Sequence, residues 1–350
     1  IIMAAYTTIK KPKDYFNTVL YTGTGSELAI TGVGFRPDWV SIKRRNNNAH
    51  GGVFDVVRGA TKLISSSDTA AEQTLAQSLK SFDSDGFTLG TGGNGYVNES
   101  SSPAVAWCWK AGNSQGSSNT AGSINTTYTS VNTTAGFSIS KYTGTGANAT
   151  VGHGLGVAPK MIIFKNTNST RNWSVYHENM QANTPNAYMA WNTTDAKEAG
   201  YNFSNGTAPT NQVFSVGNLT ANNGSSQEYI AYCFAEIKGY SKFGSYTGNG
   251  NADGPFVYTG FKPAFVMTKN ATDALTSWTI SDNARPGYNT INDTLFADSA
   301  GQEQTFSYID HLSNGFKIRY TSDSNSNNSN IIYMAFAEEP LVGDNPATAR

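Results

Sequence analysis

The chain has 350 residues, of which 38% are hydrophobic and only 14% are charged, and its formal net charge is −1. An average soluble domain carries about 25% charged residues, so the surface of this protein is polar without being ionic. With 18 Tyr, 18 Phe and 6 Trp the chain holds too much apolar surface to remain disordered, and 24 basic against 25 acidic residues exclude the basic surface of a typical nucleic-acid-binding protein.

The N-terminal residues precede every recognisable motif. They lack a basic segment followed by an apolar one, which argues against a secretory signal. No run of about 18–20 apolar residues occurs in the sequence, so we predict no membrane-spanning helix and no membrane partner. Residues 1–16 carry Lys10, Lys11 and Lys13, and we interpret them as an N-terminal tether.

A five-residue motif recurs three times along the chain. It reads Tyr-Thr-Gly-Thr-Gly at residues 21–25 and 142–146, and Tyr-Thr-Gly-Asn-Gly at residues 246–250. An apolar stretch that begins with proline follows each copy. This proline lies 16, 17 and 17 residues after the motif tyrosine in the three copies. Each stretch ends with a lysine six residues after that proline: Pro37 and Lys43, Pro159 and Lys165, Pro263 and Lys269. Spacings this constant indicate an internal repeat.

Later landmarks recur in the same order. An aromatic strand closes each copy, at residues 105–109, 230–234 and 332–336. Short β-branched and aromatic runs separated by Gly, Asn, Asp and Ser are typical of antiparallel sandwiches. We therefore predict an all-β fold of three tandem β-sandwich modules, jelly-roll or lectin-like, of about 100 residues each. The predicted boundaries are 1–16 for the tether, 17–110 for module 1, 111–135 for a polar linker, 136–238 for module 2, 239–340 for module 3 and 341–350 for a C-terminal tail.

Alignment of the closing strands places Cys108, Cys233 and Ala335 at one position. A position that accepts cysteine or alanine favours a small buried side chain over a disulfide or a metal ligand. The segment 68–80 is less clear, because Ala71 and Leu75 have helical spacing. Residues 72–75, however, match residues 303–306, which show no helical period, so we favour a turn followed by a strand over a helix.

Two acid–base pairs recur at matching places: Asp55 with Arg58, and Asp282 with Arg285. We interpret them as structural clamps in which a guanidinium holds a strand end through a carboxylate; a polar clamp for a sugar or a partner is the alternative. The repeated lysines are expected to be exposed charges on strand edges, where they would deter aggregation.

Asp83 and Asp85 precede Gly86 and raise the alternative of a glycosidase. Hydrolases of that kind hold two carboxylates across a cleft, whereas these two residues are typical of a turn, so we predict no enzymatic activity and no catalytic residues. Calcium is a weaker alternative at the loops 82–86, 249–253 and 322–326, none of which matches the twelve-residue calcium loop. No cofactor is predicted, and the four histidines lack metal-ligand spacing.

The repeated sequence motifs resemble those of a family of virion structural proteins of tailed phages that infect marine bacteria. The resemblance rests on the Tyr-Thr-Gly motif, on residues 153–162 (His-Gly-Leu-Gly-Val-Ala-Pro-Lys-Met-Ile), on residues 229–236 and on residues 313–317. Such proteins are often labelled tail fibre or lectin-like, and no catalytic residues come with the resemblance. It implies a virion surface location for a protein made in the host cytoplasm, with other virion proteins as partners.

The leading hypothesis is therefore a tail-fibre or receptor-binding protein that contacts a host surface polysaccharide. Exposed aromatic faces and amide loops would bind the sugar, and the candidates are Tyr188, Trp191 and Tyr201, which have no clear counterpart in the other copies. Trp173 and Trp278 recur at one position and are expected to be buried. The alternative is a capsid decoration or head-fibre protein with a purely structural role. A homotrimer fits either hypothesis, although no oligomer seam is visible in the sequence.

Overall fold

A computed structural model describes residues 6–92, 96–180, 185–285 and 289–348. Over these residues the protein is all-β, as predicted, with 25 strands and three short 3-10 helices, Pro12–Asp14, Glu178–Met180 and Asp323–Asn325. None of the described helices is long and apolar enough to cross a membrane. Below, repeat 1 denotes residues 17–110, repeat 2 residues 136–238 and repeat 3 residues 239–340.

Repeat 1 forms two antiparallel sheets. Its strands are β1 (Phe16–Thr22), β2 (Leu28–Ile30), β3 (Trp39–Arg44), β4 (Gly52–Asp55), β5 (Lys62–Ser65), β6 (Gln73–Thr74), β7 (Leu79–Asp83), β8 (Gly86–Leu89) and β9 (Pro103–Trp109). The main sheet has the order β1-β9-β3-β4-β5-β6, and the small sheet has the order β2-β8-β7. The first and last strands of the repeat are therefore neighbours.

Repeat 2 has the same central order of strands. Its strands, with one from the preceding segment, are β10 (Tyr128–Asn132), β11 (Phe137–Thr143), β12 (Ala149–Gly152), β13 (Met161–Asn166), β14 (Ser174–His177), β15 (Met189–Ala190), β16 (Val213–Val216) and β17 (Glu228–Phe234). The main sheet is β10-β11-β17-β13-β14-β15, and β12 pairs with β16 in a two-stranded sheet.

In repeat 3 the strands that correspond to the main sheet and to the small sheet form one sheet of eight strands. They are β18 (Ser241–Thr247), β19 (Phe256–Tyr258), β20 (Phe261–Asn270), β21 (Thr279–Asp282), β22 (Ile291–Phe296), β23 (Gln304–Leu312), β24 (Gly315–Ile318) and β25 (Asn330–Pro340). The order is β18-β25-β20-β21-β22-β23-β24-β19, so the sheet curls almost into a barrel around its own core.

The last strand of each repeat is buried on both faces. In β9, Trp107 and Trp109 belong to a core that all three repeats share, whereas Ala106 and Cys108 belong to a core confined to repeat 1. Successive side chains of a strand point to opposite sides, so one continuous apolar run supplies two cores. The corresponding residues of β17 and β25 divide in the same way.

The shared core is an aromatic cluster between the three main sheets. Trp39 of repeat 1 stacks on Tyr232 of repeat 2, with ring centroids 4.9 Å apart. Phe336 of repeat 3 lies 5.7 Å from Trp109 and 6.1 Å from Phe234. Each main sheet therefore packs its second face against the other two repeats.

The same backbone hydrogen bond recurs at each of the three junctions between repeats. In each, a backbone N–H of one repeat donates to a backbone carbonyl of the next repeat. The acceptor lies two residues after the repeated lysine of that next repeat. The three bonds are Glu72 to Thr167 at 2.9 Å, Lys197 to Ala271 at 3.3 Å, and Glu303 to Arg45 at 3.0 Å. Repeat 1 thus contacts repeat 2, repeat 2 contacts repeat 3, and repeat 3 contacts repeat 1. A head-to-tail contact that returns to its start forms a closed ring with approximate threefold symmetry.

The segments outside the repeats pack against this ring. Within residues 6–16, predicted as a tether, the Tyr6 hydroxyl donates to the Gly260 carbonyl at 2.7 Å, and Ile9 lies in the shared core. Within residues 111–135, predicted as a polar linker, β10 pairs with β11, and Ala111 and Ala135 are also part of the shared core.

Three further expectations from the sequence are confirmed, two about buried residues and one about secondary structure. Cys108 and Cys233 are free and buried, as is Ala335 at the corresponding position. Trp173 and Trp278 are also buried. The segment 68–80 contains β6 and the start of β7 rather than a helix.

The expectation for the repeated lysines is wrong. Lys43, Lys165 and Lys269 are at most 1% exposed, because each lies on a strand in the interior of its sheet and reaches into the junction with the preceding repeat of the ring. Each ammonium group donates to a carbonyl oxygen of that neighbouring repeat: Lys43 to Ser299, Lys165 to Thr69 at 3.1 Å, and Lys269 to Thr194 at 3.2 Å. Burial lowers the pKa of all three lysines to about 8.

The lowered pKa of Lys43 predicts a pH-dependent stability. Between about pH 8 and the ordinary lysine pKa of 10.5, the unfolded chain binds a proton that the folded chain does not, so stability rises with pH in that window. Relative to Lys43→Met, the free energy of unfolding of the unmodified protein should rise by up to about 1.4 kcal/mol per pH unit. Urea unfolding of both proteins from pH 7 to 9.5 measures this difference. Other titrating groups cancel in the comparison, and parallel pH profiles would contradict the assignment.

Candidate functional site

Repeat 2 departs from the other two repeats in its second half. In repeats 1 and 3 the strands β8 and β24 pair with the strand before them, β7 and β23 respectively. In repeat 2 the corresponding strand β16 pairs only with β12, and residues 191–212 carry no strand. This irregular segment and the residues just before it contain the three aromatic residues singled out in the sequence.

The segment lines a cleft of about 310 Å³ beside the junction with repeat 1. Tyr188 and Glu198 lie in its wall, and they form a two-way backbone bridge with N···O distances of 3.0 and 2.8 Å. The Tyr188 hydroxyl also donates to Glu198 Oε2 at 2.9 Å. Burial and the neighbouring Glu198 carboxylate both raise the pKa of Tyr188, so the phenol remains a neutral donor.

The aromatic ring of Tyr188 is held in place by its neighbours. It stacks on Phe203 with ring centroids 4.6 Å apart and an angle of 8° between the planes. Tyr201 approaches it edge-on at 6.5 Å and is 53% exposed. Arg171 also lines the cleft, and its backbone N–H donates to the Thr69 carbonyl of repeat 1 at 2.9 Å. A basic, an acidic and an aromatic residue, Arg171, Glu198 and Tyr188, therefore line one concavity.

A second concavity of about 590 Å³ adjoins Tyr201 and is lined by amide side chains. Asn202 Nδ2 donates to Asn148 Oδ1, and Asn148 Nδ2 donates to Asn205 Oδ1, each at 2.7 Å. Asn186 Oδ1 accepts from the backbone N–H groups of Ser204 and Gly206. These bonds fix the orientation of the amides before any ligand arrives, which reduces the entropy lost on binding.

Trp191 lies elsewhere. Its side chain is 4% exposed and packs in the shared core, perpendicular to Trp173 with ring centroids 5.0 Å apart. Because its indole does not reach the surface, Tyr188 and Tyr201 carry the ligand hypothesis. Sequence alone does not separate Trp191 from Tyr201, since both lie in the stretch that has no counterpart in the other repeats.

The recurring acid–base pairs form buried ion pairs at two junctions. Asp282 Oδ2 accepts from Arg285 Nε at 2.8 Å and from the indole of Trp107, in repeat 1, at 2.9 Å. Asp55 Oδ2 is bound by Arg58 and accepts from the hydroxyl of Tyr232, in repeat 2, at 2.7 Å. Each carboxylate therefore binds a donor from the neighbouring repeat, which motif inspection alone does not indicate.

The third junction replaces this arrangement with neutral groups. His177 and Met180 stand where the other repeats have aspartate and arginine, and Met334 stands where they have Trp107 and Tyr232. Burial lowers the pKa of His177 to about 4, so the ring is neutral, and its Nε2 bonds to the Tyr333 carbonyl at 3.1 Å. The junction that lacks the tryptophan or tyrosine donor therefore also lacks the buried aspartate–arginine ion pair.

The Tyr-Thr-Gly motif is held in place by a buried asparagine that lies outside the motif. The side-chain oxygen of this asparagine accepts a hydrogen bond from the backbone N–H of the fourth motif residue: Asn98 from Thr24 at 2.9 Å, Asn223 from Thr145 at 2.8 Å, and Asn325 from Asn249 at 2.9 Å. The motif tyrosine donates its hydroxyl to the carbonyl just before that asparagine. The last glycine of each motif has φ between 66° and 73°, a conformation that favours glycine.

A family model described as a domain of unknown function, DUF7483, matches residues 11–340. The chain belongs to the DUF7483 family. The match runs through all three repeats and the segment between the first two, so the family unit corresponds to the whole ring rather than to one repeat. No curated protein and no solved structure gives a significant match.

The glycosidase and calcium alternatives involve other parts of the DUF7483 fold. Asp83 and Asp85 lie at the β7–β8 turn, as predicted, and Asp85 accepts from the backbone N–H groups of Gly32 and Gly34 at 3.0 and 2.6 Å. These bonds lower the pKa of Asp85, opposite to what a general acid requires. Asp253, in one calcium candidate, forms an ion pair with Lys317 at 2.7 Å. Across the described ranges, no group of three or more His, Cys, Asp or Glu residues could hold a metal ion.

The clamps predict strongly non-additive effects on stability. Asp55→Ala leaves the buried Arg58 without its main counter-ion and the Tyr232 hydroxyl without its acceptor, so we expect a loss of about 3–5 kcal/mol. The triple change Asp55→His, Arg58→Met and Tyr232→Met copies the neutral junction and should cost less than the single change. Urea unfolding of the two variants measures the difference, and a triple variant as unstable as Asp55→Ala would contradict the interpretation.

Proposed function

We propose that this protein is a non-enzymatic phage virion surface protein of the tail-fibre or receptor-binding type, which binds a host surface polysaccharide in the cleft of repeat 2. The observation that carries the binding site is the departure of one repeat from its two counterparts. Where repeats 1 and 3 form a hairpin, repeat 2 holds a cleft lined by Tyr188 and Glu198 and, beside it, a second concavity lined by Tyr201.

The chemistry of the cleft suits a sugar. An aromatic ring packs against the C–H face of a pyranose, while carboxylate, amide and guanidinium groups bind its hydroxyls. Glu198 uses one oxygen to hold Tyr188 and keeps lone pairs for a ligand. The virion location is supported by the resemblance of the repeated motifs to structural proteins of tailed phages.

The finer architecture belongs to the same proposal. We infer three tandem β-sandwich modules of about 100 residues each, since every repeat has a hydrophobic core of its own beneath its main sheet. The modules are not independent, because the second face of each main sheet lies in the shared core.

One observation favours a second candidate, a capsid decoration protein. A ring with approximate threefold symmetry offers three similar surfaces about one axis, which suits a seat on a threefold axis of a symmetric shell. In that role the ring is a structural clamp and the cleft of repeat 2 is incidental.

Polysaccharide binding is tested with the full chain and the purified surface polysaccharide of a host strain. Tyr201→Ala and Glu198→Gln should each weaken binding about tenfold, because each removes a contact worth about 1–1.5 kcal/mol. Tyr258→Ala removes an equally exposed tyrosine from repeat 3 and serves as the matched control. Isothermal titration calorimetry gives the affinities. Absence of binding by the unmodified chain, or equal loss in all three variants, would refute the cleft as a sugar site.

Virion location is tested by electron microscopy of purified particles with antibodies against the chain. The receptor-binding proposal predicts label at the tail and a block of host adsorption by purified protein. Label spread over the capsid in many copies, with no block of adsorption, would instead support the decoration protein.

A further inference from the structure

The second strand of each repeat (β2, β12 or β19) is short and lies at the equivalent position in all three copies. In β2, β12 and β19 one residue faces inward and lies opposite a phenylalanine of the strand that pairs with it: Ile30 opposite Phe87, Val151 opposite Phe214, and Val257 opposite Phe316. All three inward residues are buried. The residues on either side of them point outward and lie at the edge of the sheet.

In repeat 2 the chain covers this edge with a segment of its own. Ile124 forms a parallel β-bridge with Val151, and its backbone N–H donates to the Thr150 carbonyl at 2.9 Å. The Thr150 N–H in turn donates to the Ser123 hydroxyl at 2.9 Å. Ile124 is only 7% exposed and belongs to the core of repeat 2. One apolar side chain thus anchors an otherwise polar segment against the edge.

The same segment also covers the outer face of β12. Asn119 lies so close to Gly152 that a Cβ atom at residue 152 would be 2.0 Å from the Asn119 side-chain oxygen. The segment 117–126 therefore lies along β12, joined to its edge by one β-bridge, and contacts its outer face at a position without a side chain. Both the backbone edge and the outer face of β12 are occupied.

In repeat 3 the corresponding edge has large apolar side chains, and none of the described residues forms such a cover. Phe256 and Tyr258 stand where repeat 2 has Thr150 and Gly152, and they are 47% and 56% exposed. β19 is the terminal strand of its sheet, and over the described ranges no strand or bridge pairs with its outer edge. The pair Phe256–Lys317 of repeat 3 is equivalent to the pair Thr150–Ser215 of repeat 2. The backbone N–H and C=O of Phe256 therefore point away from the sheet, as those of Thr150 do.

We propose that the outer edge of β19, with Phe256 and Tyr258, binds an extended segment of a partner protein by strand addition. The occupant has the chemistry of residues 117–126: polar and rich in Ser, Thr and Asn, with one β-branched apolar anchor. Main-chain hydrogen bonds to the free groups of Phe256 supply affinity, and the two aromatic side chains supply the apolar surface on which the anchor packs. Exposed edges of this kind are otherwise avoided, because they pair non-specifically with other chains.

The chain itself provides the probe. A fluorescent peptide with the sequence of residues 115–127 is titrated with the full protein, and fluorescence polarisation follows binding. We expect saturable binding that is lost when the residue corresponding to Ile124 is changed to Asn in the peptide, since the anchor then has no apolar side chain. Absence of saturable binding by the unchanged peptide would overturn the proposal.

The double variant Phe256→Ala, Tyr258→Thr locates the site. It introduces the residues that repeat 1 carries at these positions, Ala29 and Thr31, so the fold of the strand is retained. We expect the affinity for the peptide to fall at least tenfold, whereas Leu275→Ser, which changes an exposed leucine elsewhere in repeat 3, leaves it unchanged. Equal binding by the double variant would mean that the peptide binds elsewhere, for example by exchange with its own copy in repeat 2, and would also overturn the proposal.

Comparison of Phe256→Pro with Phe256→Ala tests the main-chain component. Both changes remove the aromatic ring, whereas only proline also removes the outward-facing N–H, and proline is compatible with an edge strand. Weaker peptide binding by the proline variant than by the alanine variant, with matching thermal unfolding curves, supports strand addition. Equal peptide binding by the two variants would show that no backbone pairing takes place and would refute the added strand. Because the site lies in repeat 3, neither result depends on the polysaccharide cleft of repeat 2.

Discussion

The three main sheets share one core, and the remaining features of the molecule depend on it. Each sheet has an apolar second face that is covered mainly by the other two repeats, with Trp107, Tyr232 and Met334 at equivalent places. Full burial of a large apolar side chain contributes about 1.5–3 kcal/mol, so a lone repeat would expose a surface that favours association. Joining the repeats in one chain makes that association intramolecular and thus nearly independent of protein concentration.

Such a core restricts the polar groups that enter it. A buried carboxylate is tolerated when charge-assisted hydrogen bonds satisfy it, and Asp55 and Asp282 each accept from an arginine and from a donor of the neighbouring repeat. Where the donor position is Met334, the carboxylate and guanidinium positions hold His177 and Met180 instead. The three junctions therefore provide partners for their buried acidic, basic or imidazole side chains in two different ways.

Near-symmetry of the ring makes its exceptions informative. The Tyr-Thr-Gly turn, the buried asparagine and the junction lysine recur in all three repeats, and contacts within the fold account for each of them. Two features that these contacts do not require, the cleft of repeat 2 and the aromatic edge of repeat 3, occur where one copy differs from the others. The repeated scaffold provides rigidity, and both proposed binding surfaces lie where one copy departs from it.

The sequence by itself determined the all-β character, the threefold repetition and the burial of Cys108 and Cys233, because spacing and side-chain type record local structure directly. It also identified the stretch of repeat 2 that lacks a counterpart. Only the tertiary structure decided that the repeats close into a ring, that Lys43 and its counterparts lie inside it, and that Tyr201 is exposed while Trp191 is not. The physical reason is that an apolar strand face shows only that something covers it. The identity of the cover, whether the same repeat, a neighbouring repeat or solvent, depends on contacts between residues that are far apart in the sequence, such as the 75, 96 and 256 positions that separate the junction lysines from their acceptors.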